Sequence, residues 1–442
     1  MARGDRSAVT SSDGRRAVEA VWRIESARIV GALARYTGDF ALAEDLAQEA
    51  LAEALVSWPR EGVPRNPSGW LLTVGRRRAI DTFRRRSALD ERYAALAHHL
   101  GEGGATSGGP PSGDAGPGDE DGVLWDPDRV HDDVLALMFV ACHPVLSPEA
   151  RVALTLRVVG GLSSEEVARA FLVPTATVQA RITRAKKTLA AAAVPFGVPP
   201  AVERRERLGS VLGVLYVIFT EGSTATSGDE WLRPDLAHEA VRLARVLAGL
   251  VPDEHEVHAL LALLELTAAR FPARTTPDGD PVLLADQDRR RWDRSAIRRG
   301  RAALARADAV GPTGHGRGPY GLQAAIAECH AVAPSVEETD WDRVVLLYEA
   351  LGRVAPSPVV ELNRAAAVAM AHGPAAGLRI VDELVATDRL PRFHLVPSVR
   401  AELLGRLGRV DEARAEYALA VRLCPNVRER DLLERKAAAL PA

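Results

Sequence analysis

The residues with the clearest chemical capacity stand between 175 and 187. Gln179, Ala180, Thr183, Arg184 and Lys187 fall at spacings that share one face of a helix, with Arg181 and Lys186 on its flanks. Amide, hydroxyl, guanidinium and ammonium groups in such a row make no nucleophile and no general base. They hydrogen-bond to base edges and neutralise phosphates. The opposite face, Val178, Ile182, Ala185 and Leu189, repeats at four, three and four and forms one buried stripe. A second helix must position this one. Ser163 is a good N-cap, Glu166 three residues on completes a capping box, and Leu162 with Val167 makes a hydrophobic staple. Pro174 fits the first turn of the following helix, where its missing N–H costs nothing. A short capped helix followed by one with a polar, basic outer face is the helix-turn-helix pattern, whose second helix enters the major groove. A solvated basic face on an ordinary hairpin would read the same way from this stretch alone.

Two further charged surfaces lie upstream. Residues 15–36 read as a helix through Val18, Val21, Trp22, Ile29 and Leu33; Gly38 ends it and Asp39 caps the next. That next helix, 40–58, has an apolar side of Leu42, Leu46, Ala50 and Leu55 and an opposite stripe of Asp45, Gln48, Glu49 and Ala52. An acidic stripe is either solvated or docked on a basic partner. After a Pro- and Gly-rich loop at 59–67, the helix 68–86 carries Arg76, Arg77 and Arg78, then Arg84, Arg85 and Arg86, with Trp70 and Phe83 interleaved. Positive charge beside aromatic rings suits separated DNA strands, whose backbone it tracks and whose bases it stacks.

The rest of the composition narrows the choices. Against 56 basic residues stand 59 acidic ones, so any nucleic-acid site is a local patch. Nearly all the basic residues are Arg, with Lys only at Lys186, Lys187 and Lys436. The three cysteines, Cys142, Cys329 and Cys424, are isolated, which excludes a disulfide framework and a CxxC zinc site. Cys142-His143 and Cys329-His330 are adjacent pairs that do not share a helix face, so they read as core. No metal site, cofactor loop or nucleophile–base constellation is expected, and catalysis is not. The longest apolar run, 211–219, is too short to cross a bilayer and suits a buried helix; no membrane association is expected, and a cytoplasmic location is. Residues 101–122, rich in Gly, Pro, Ser and acid, read as a flexible linker.

Beyond Pro195, Pro199 and Pro200 a four-position signature recurs with constant internal spacing: Ala240, Ala244, Leu247, Pro252; Gly300, Leu304, Ala307, Pro312; Val344, Tyr348, Leu351, Pro356; Ala413, Tyr417, Ala420, Pro425. Its first, third and fourth copies lie 104 and 69 residues apart, near three and two periods of the 34-residue tetratricopeptide (TPR) repeat. The last, GRVDEARAEYALAVRLCP at 408–425, fits best. The spacing predicts helix pairs 208–222 with 235–250, 254–270 with 289–308, 319–333 with 341–353, 358–371 with 374–387, and 395–407 with 410–423. An insertion at 271–288 holds Asp278, Asp280, Asp286 and Asp288; the EF-hand positions are not met, and helix capping by Asp286 or Asp288 is the expected use.

DFALAEDLAQEA at 39–50, NPSGWLLTVGRRRAID at 66–81, the arginines at 84–86 and the helix-turn-helix, in that order, resemble an extracytoplasmic-function (ECF) sigma factor of bacterial RNA polymerase over residues 15–193. With the insertion and GPYGLQAAIA at 318–327, the whole resembles the ECF group carrying a C-terminal TPR-like extension, whose members look self-regulated through it. The resemblance implies an all-α protein: two helical sigma domains, the second with a helix-turn-helix, followed by a TPR-like α-solenoid. The expected divisions are a disordered N-terminus at 1–14, sigma region 2 at 15–95, an acidic linker at 96–130, sigma region 4 at 131–193, and the regulatory extension at 194–442. It implies that Asp45, Gln48, Glu49 and Ala52 dock on the polymerase β′ clamp helices. Asn66, Trp70, Arg76, Arg77, Arg78, Arg84 and Arg85 would take the −10 element. Thr175, Thr177, Gln179, Ala180, Arg181, Thr183, Arg184, Lys186 and Lys187 would take the −35 element. Ala180 departs from the small polar residue common there. Implied partners are core RNA polymerase, including the β flap, promoter DNA, and a protein partner for the extension. The alternative is a helix-turn-helix regulator with a TPR sensing domain for a ligand or protein, acting without polymerase.

Overall fold

The structure is a computed structural model that describes residues 4–100, 127–171, 173–224, 230–311, 316–387 and 389–441, without the side chains of 4–15, 89–100, 127–131 and 201. The linker expected at 101–122 lies outside the described residues. Those that are described form eighteen α-helices, three short 3-10 turns and one isolated β-bridge, with no strand. No helix among them is long and apolar enough to cross a membrane. The chain folds as two compact units, one of residues 1–169 and 173–214, the other of 170–172 and 215–442.

The first unit holds α1 (Gly4–Thr37), α2 (Phe40–Glu61), α3 (Pro67–Leu100), α4 (Pro127–Ala141), α5 (Pro148–Val158), α6 (Ser164–Phe171), α7 (Thr175–Ala191) and the start of α8 (Ala201–Ser223). Helix α1 starts at Gly4, inside the stretch expected to be disordered; 4–14 is polar but has no proline to stop the helix. Gly38, at a φ of +67°, breaks the chain after α1, and the Asp39 carboxylate accepts from the Leu42 amide to open α2. Helix α2 buries Ala43, Leu46, Ala47, Ala50, Ala54 and Trp58. Leu55, expected on the buried side, is exposed. The true apolar face is an alanine ridge, which periodicity scored on large side chains passes over. Helix α4 lies against α1, where Arg35 Nε donates to Asp133 at 3.1 Å.

Helix α8 begins within the first unit: Arg207 donates to the Phe139 carbonyl at 3.3 Å and the Ser210 hydroxyl to the Cys142 carbonyl at 2.6 Å. These bonds satisfy the carbonyls at the C-terminal end of α4, which the helix itself leaves unpaired.

The second unit continues through α9 (Pro234–Leu250), α10 (His255–Ala268), α11 (Arg294–Val310), α12 (Pro319–Val332), α13 (Trp341–Val354), α14 (Pro358–His372), α15 (Pro374–Ala386), α16 (Leu395–Arg406), α17 (Val410–Leu423) and α18 (Val427–Ala438). Each helix from α10 onward packs on its chain neighbours, and α10 also meets α12, as α14 meets α16. The signature positions make this packing: Ala240, Ala244, Leu247, Leu304, Ala307, Val344, Leu351, Ala413, Tyr417 and Ala420 are all buried, and Tyr348 is partly so. A side chain at Gly300 would stand 2.7 Å from Leu266, so this close approach of α11 to α10 needs glycine.

Two features differ from the expectation. Asp288 caps ahead of Arg289, as expected, but through the Arg290 amide it opens a 3-10 turn at 289–291; α11 starts later, where Asp293 caps it through the Ser295 and Ala296 amides. Helix α18, where no pair was expected, follows the last signature; Asn426 caps it through the Glu429 amide, and only Leu433 along it is buried. So little buried apolar surface leaves a weak periodic signal.

Candidate nucleic-acid interface

The helix-turn-helix forms as its residues dictate. The Ser163 amide donates to Glu166 at 2.8 Å and the Glu166 amide to the Ser163 hydroxyl at 3.1 Å, a reciprocal capping box. Leu162 and Val167 are buried beside it. Pro174 sits at the N-cap of α7, one position before the helix. Val178, Ile182, Ala185 and Leu189 are all buried. With that stripe turned inward, Gln179, Ala180, Thr183, Arg184 and Lys187 face solvent together, and Thr175, Thr177 and Arg181 are half-buried at its margin.

Lys186 has another occupation. Its ammonium donates to Glu44 at 2.7 Å and to Asp45 at 2.6 Å, both on α2. Beside it Arg157 of α5 donates to the Gln48 side chain at 2.6 Å and to the Leu162 carbonyl at 3.2 Å. Arg23 of α1 pairs with Glu166. The expected docking stripe and the helix-turn-helix therefore share one unit and touch through charge. Burial works against the Lys186 charge; Glu44 and Asp45 outweigh it, and the ammonium pKa is raised. Glu44 is 4% exposed. Sequence reasoning missed it because an acid at a buried helix position looks like a break in the apolar pattern; its basic partners are more than a hundred residues away.

The arginine helix divides likewise. Arg77 reaches Glu53 at 3.0 Å, while Arg78 reaches Glu49 at 2.9 Å and Glu53 at 2.7 Å. The hydrogen bond from Arg78 holds the Glu53 carboxyl below its ordinary range, against its slight desolvation. Glu53 lies four residues beyond Glu49, a spacing that would have pointed to it. Arg76 lies over the Tyr36 ring at 5.3 Å. Asn66 accepts from the Gly69 amide at 3.0 Å and so caps α3, and Trp70 packs edge-on against Trp58 with ring centres 5.6 Å apart. Arg84, Arg85 and Arg86 are exposed. Of the expected docking residues, Ala52 alone has no polar group to engage.

These surfaces can hold nucleic acid by one exposed recognition face and one exposed arginine cluster, and they can exchange internal ion pairs for external ones. Comparison with known proteins identifies the regions that carry these surfaces. Residues 23–88 match the model for sigma-70 region 2, residues 136–189 that for sigma-70 region 4, and residues 207–308 a family of unknown function, DUF6596. The uncharacterized protein R00370 of Rhizobium meliloti (strain 1021) is 43% identical over 413 residues, 90% of this chain and 90% of that protein. The probable ECF RNA polymerase sigma factor SigI of Mycobacterium tuberculosis is 28% identical over 189 residues, 42% of this chain and 59% of that protein, in each of two strains. No solved structure matches the chain. Sigma domains imply binding to core RNA polymerase and promoter DNA. The chain belongs to one family with R00370, and its sigma-70 regions 2 and 4 make it a sigma factor, a non-enzymatic protein that directs transcription initiation.

Proposed function

We propose that this chain is an ECF-type sigma factor whose C-terminal extension, residues 194–442, is a TPR-like regulator of its own initiation activity. The observation that carries the reading is the solvent-facing row Gln179, Ala180, Thr183, Arg184 and Lys187 on a capped recognition helix, in one chain with an acid-striped helix and an arginine-rich helix. An operator-binding regulator needs the first of these and has no use for the other two. Arg184 reads a guanine edge of the −35 element, a bidentate contact worth about 1–3 kcal/mol of discrimination; Lys187 and Arg181 hold phosphates. Arg84 and Arg85 track the −10 strand, with Arg76, Arg77 and Arg78 released from α1 and α2 as the complex forms. Asp45, Gln48, Glu49 and Ala52 dock on the β′ clamp helices once Lys186 and Arg157 leave them. The extension supports regulation because α8 starts inside the sigma unit, on the end of α4.

Run-off transcription tests this. Purified protein added to core polymerase should initiate at a promoter that neither component uses alone, and reversing the charge of Asp45 and Glu49 should abolish polymerase association while duplex −35 binding persists. Duplex binding with no initiation from any −35-bearing template would favour the regulator that works without polymerase.

A further inference from the structure

His394 meets Cys424 and Glu429, thirty or more residues further on, where three helix termini come together. His394 stands at the N-cap of α16, Cys424 at the C-cap of α17, and Glu429 in the first turn of α18. Their ligating atoms, an imidazole nitrogen, the thiol sulfur and a carboxylate oxygen, all lie within 4.8 Å of one another. His394 Nε2 is 3.1 Å from Glu429 Oε2, and Cys424 Sγ is 3.7 Å from the same oxygen. Among the described residues this is the one group of three or more such donors with that spacing.

The distances select among explanations. Zinc–nitrogen and zinc–oxygen bonds of about 2.0–2.2 Å and a zinc–sulfur bond of about 2.3 Å, set at a tetrahedral angle, leave ligand atoms roughly 3.3–3.8 Å apart. Two of the three separations, 3.1 and 3.7 Å, are near that range, and the third is within 4.8 Å. A hydrogen-bonded pair alone would align the imidazole N–H with the carboxylate. Here the nitrogen is close to the carboxylate without an aligned N–H; burial works against its charge, yet Cys424 and Glu429 outweigh burial and raise the imidazole pKa to about 9, so a cation must displace that proton to bind. All three donors are shielded: Cys424 is 3% exposed, and the His394 and Glu429 side chains 16% and 13%. The frame beneath them is fixed, since Asn426 caps α18 through the Glu429 amide at 3.1 Å and donates to the Glu230 carbonyl at 2.9 Å.

We propose that His394, Cys424 and Glu429 bind a divalent cation of the zinc class, with the fourth position open to water. A thiolate and an imidazole select zinc or cobalt over magnesium or calcium, which take oxygen ligands. The Asn426 carbonyl accepts from the Cys424 thiol at 3.5 Å and from the Arg430 amide, and no fourth His, Cys, Asp or Glu joins the group among the described residues. The ion ties the ends of α16, α17 and α18 together, and because the unfolded chain does not bring the three donors together, its binding energy adds to the stability of these helices.

The experiment uses the full-length, tag-free protein, dialysed against a chelator and titrated with Co2+ and Zn2+. One equivalent of Co2+ should give the intense visible bands of a tetrahedral site together with a thiolate charge-transfer band, Zn2+ should displace both, and the melting temperature should rise. Cys424→Ser should remove the charge-transfer band, and His394→Gln should lower the affinity at least tenfold. Both variants should keep the wild-type circular dichroism. The cobalt spectrum of the unmutated chain decides the matter even if a variant misfolds. A spectrum without the thiolate band, no saturation near one equivalent, or wild-type binding by a folded Cys424→Ser variant would each overturn the site, leaving a hydrogen-bonded cluster. Promoter-dependent initiation is measured apart from metal binding, so the failure of either reading is told from the failure of the other.

Discussion

At the scale of residues, Arg184 and Lys187 share an exposed face and differ in what they can say to DNA. A guanidinium fork matches the two acceptors of a guanine edge, whereas an ammonium on a flexible stem is a point charge suited to phosphate. Arg184→Ala should therefore cost about 1–3 kcal/mol on the preferred sequence and flatten the preference at one base pair, while Lys187→Ala should weaken all sequences alike and reduce the salt slope by about one. Binding to a library mutated across the −35 element measures both; equal losses everywhere for both variants would mean that α7 lies in the groove in another orientation. Lys186, one residue away, looks equivalent in sequence and is not. The helix turns it off the exposed face, and two carboxylates of α2 take the hydrogen bonds its ammonium would otherwise give to phosphate.

At the scale of elements, helix ends and apolar stripes were legible from the chain because their signals are local. The Ser163–Glu166 box, the Asp39 cap, the turn at Gly38 and the stripe through Val178, Ile182, Ala185 and Leu189 need only neighbours within one or two turns. What escaped was long-range or small: the pairing of Glu44 with Lys186, the alanine ridge of α2, the thinly buried α18, and the meeting of His394 with Cys424. The joint between α12 and the 3-10 turn at 289–291 belongs with these. There Arg289 donates to the His330 carbonyl at 2.6 Å and to the Ala333 carbonyl at 2.7 Å, and its guanidinium lies 4.6 Å over the Trp292 ring. Burial first, then the charges of Arg270 and Arg289, push the His330 imidazole down to about 4. In the unfolded chain it titrates near 6.5. The unfolded state thus binds the extra proton, and the stability held by neutral His330 is complete above about pH 6.5 and falls as the pH drops toward 4, by roughly 3 kcal/mol at most. Melting temperatures measured from pH 7.5 to 4.5 should decline less steeply for His330→Gln than for the unmutated protein. Parallel declines would show that the ring is not held neutral by its surroundings.

At the scale of the molecule, packing rather than sequence landmarks sets the divisions. The prolines at 195–200 mark a bend, yet residues 201–214 group with the sigma helices and the remainder of α8 with the helices that follow. One continuous helix thus belongs to both units. In the first unit, regions 2 and 4 pack as a single body, tied by Lys186 to Glu44 and Asp45, Arg157 to Gln48, and Arg23 to Glu166.

Those ties give ionic strength two opposed effects. Counterions compete for the Lys186 ammonium and the Asp45 carboxylate, so added salt lowers the free-energy difference between the tied and untied arrangements and raises the untied fraction. The same counterions screen whatever basic surface the acidic stripe then meets, and they cost affinity for every phosphate contacted. A protein with no internal ties shows only the second effect and loses initiation steadily as salt is added. This one should pass through a maximum: little activity in dilute buffer, most at an intermediate concentration, and decline beyond it. In Lys186→Ala the first effect is largely gone, so the maximum should move to lower potassium chloride or vanish, which a salt series of initiation rates on the two proteins would reveal. Curves that fall monotonically and in parallel would mean that the ties open too readily to matter.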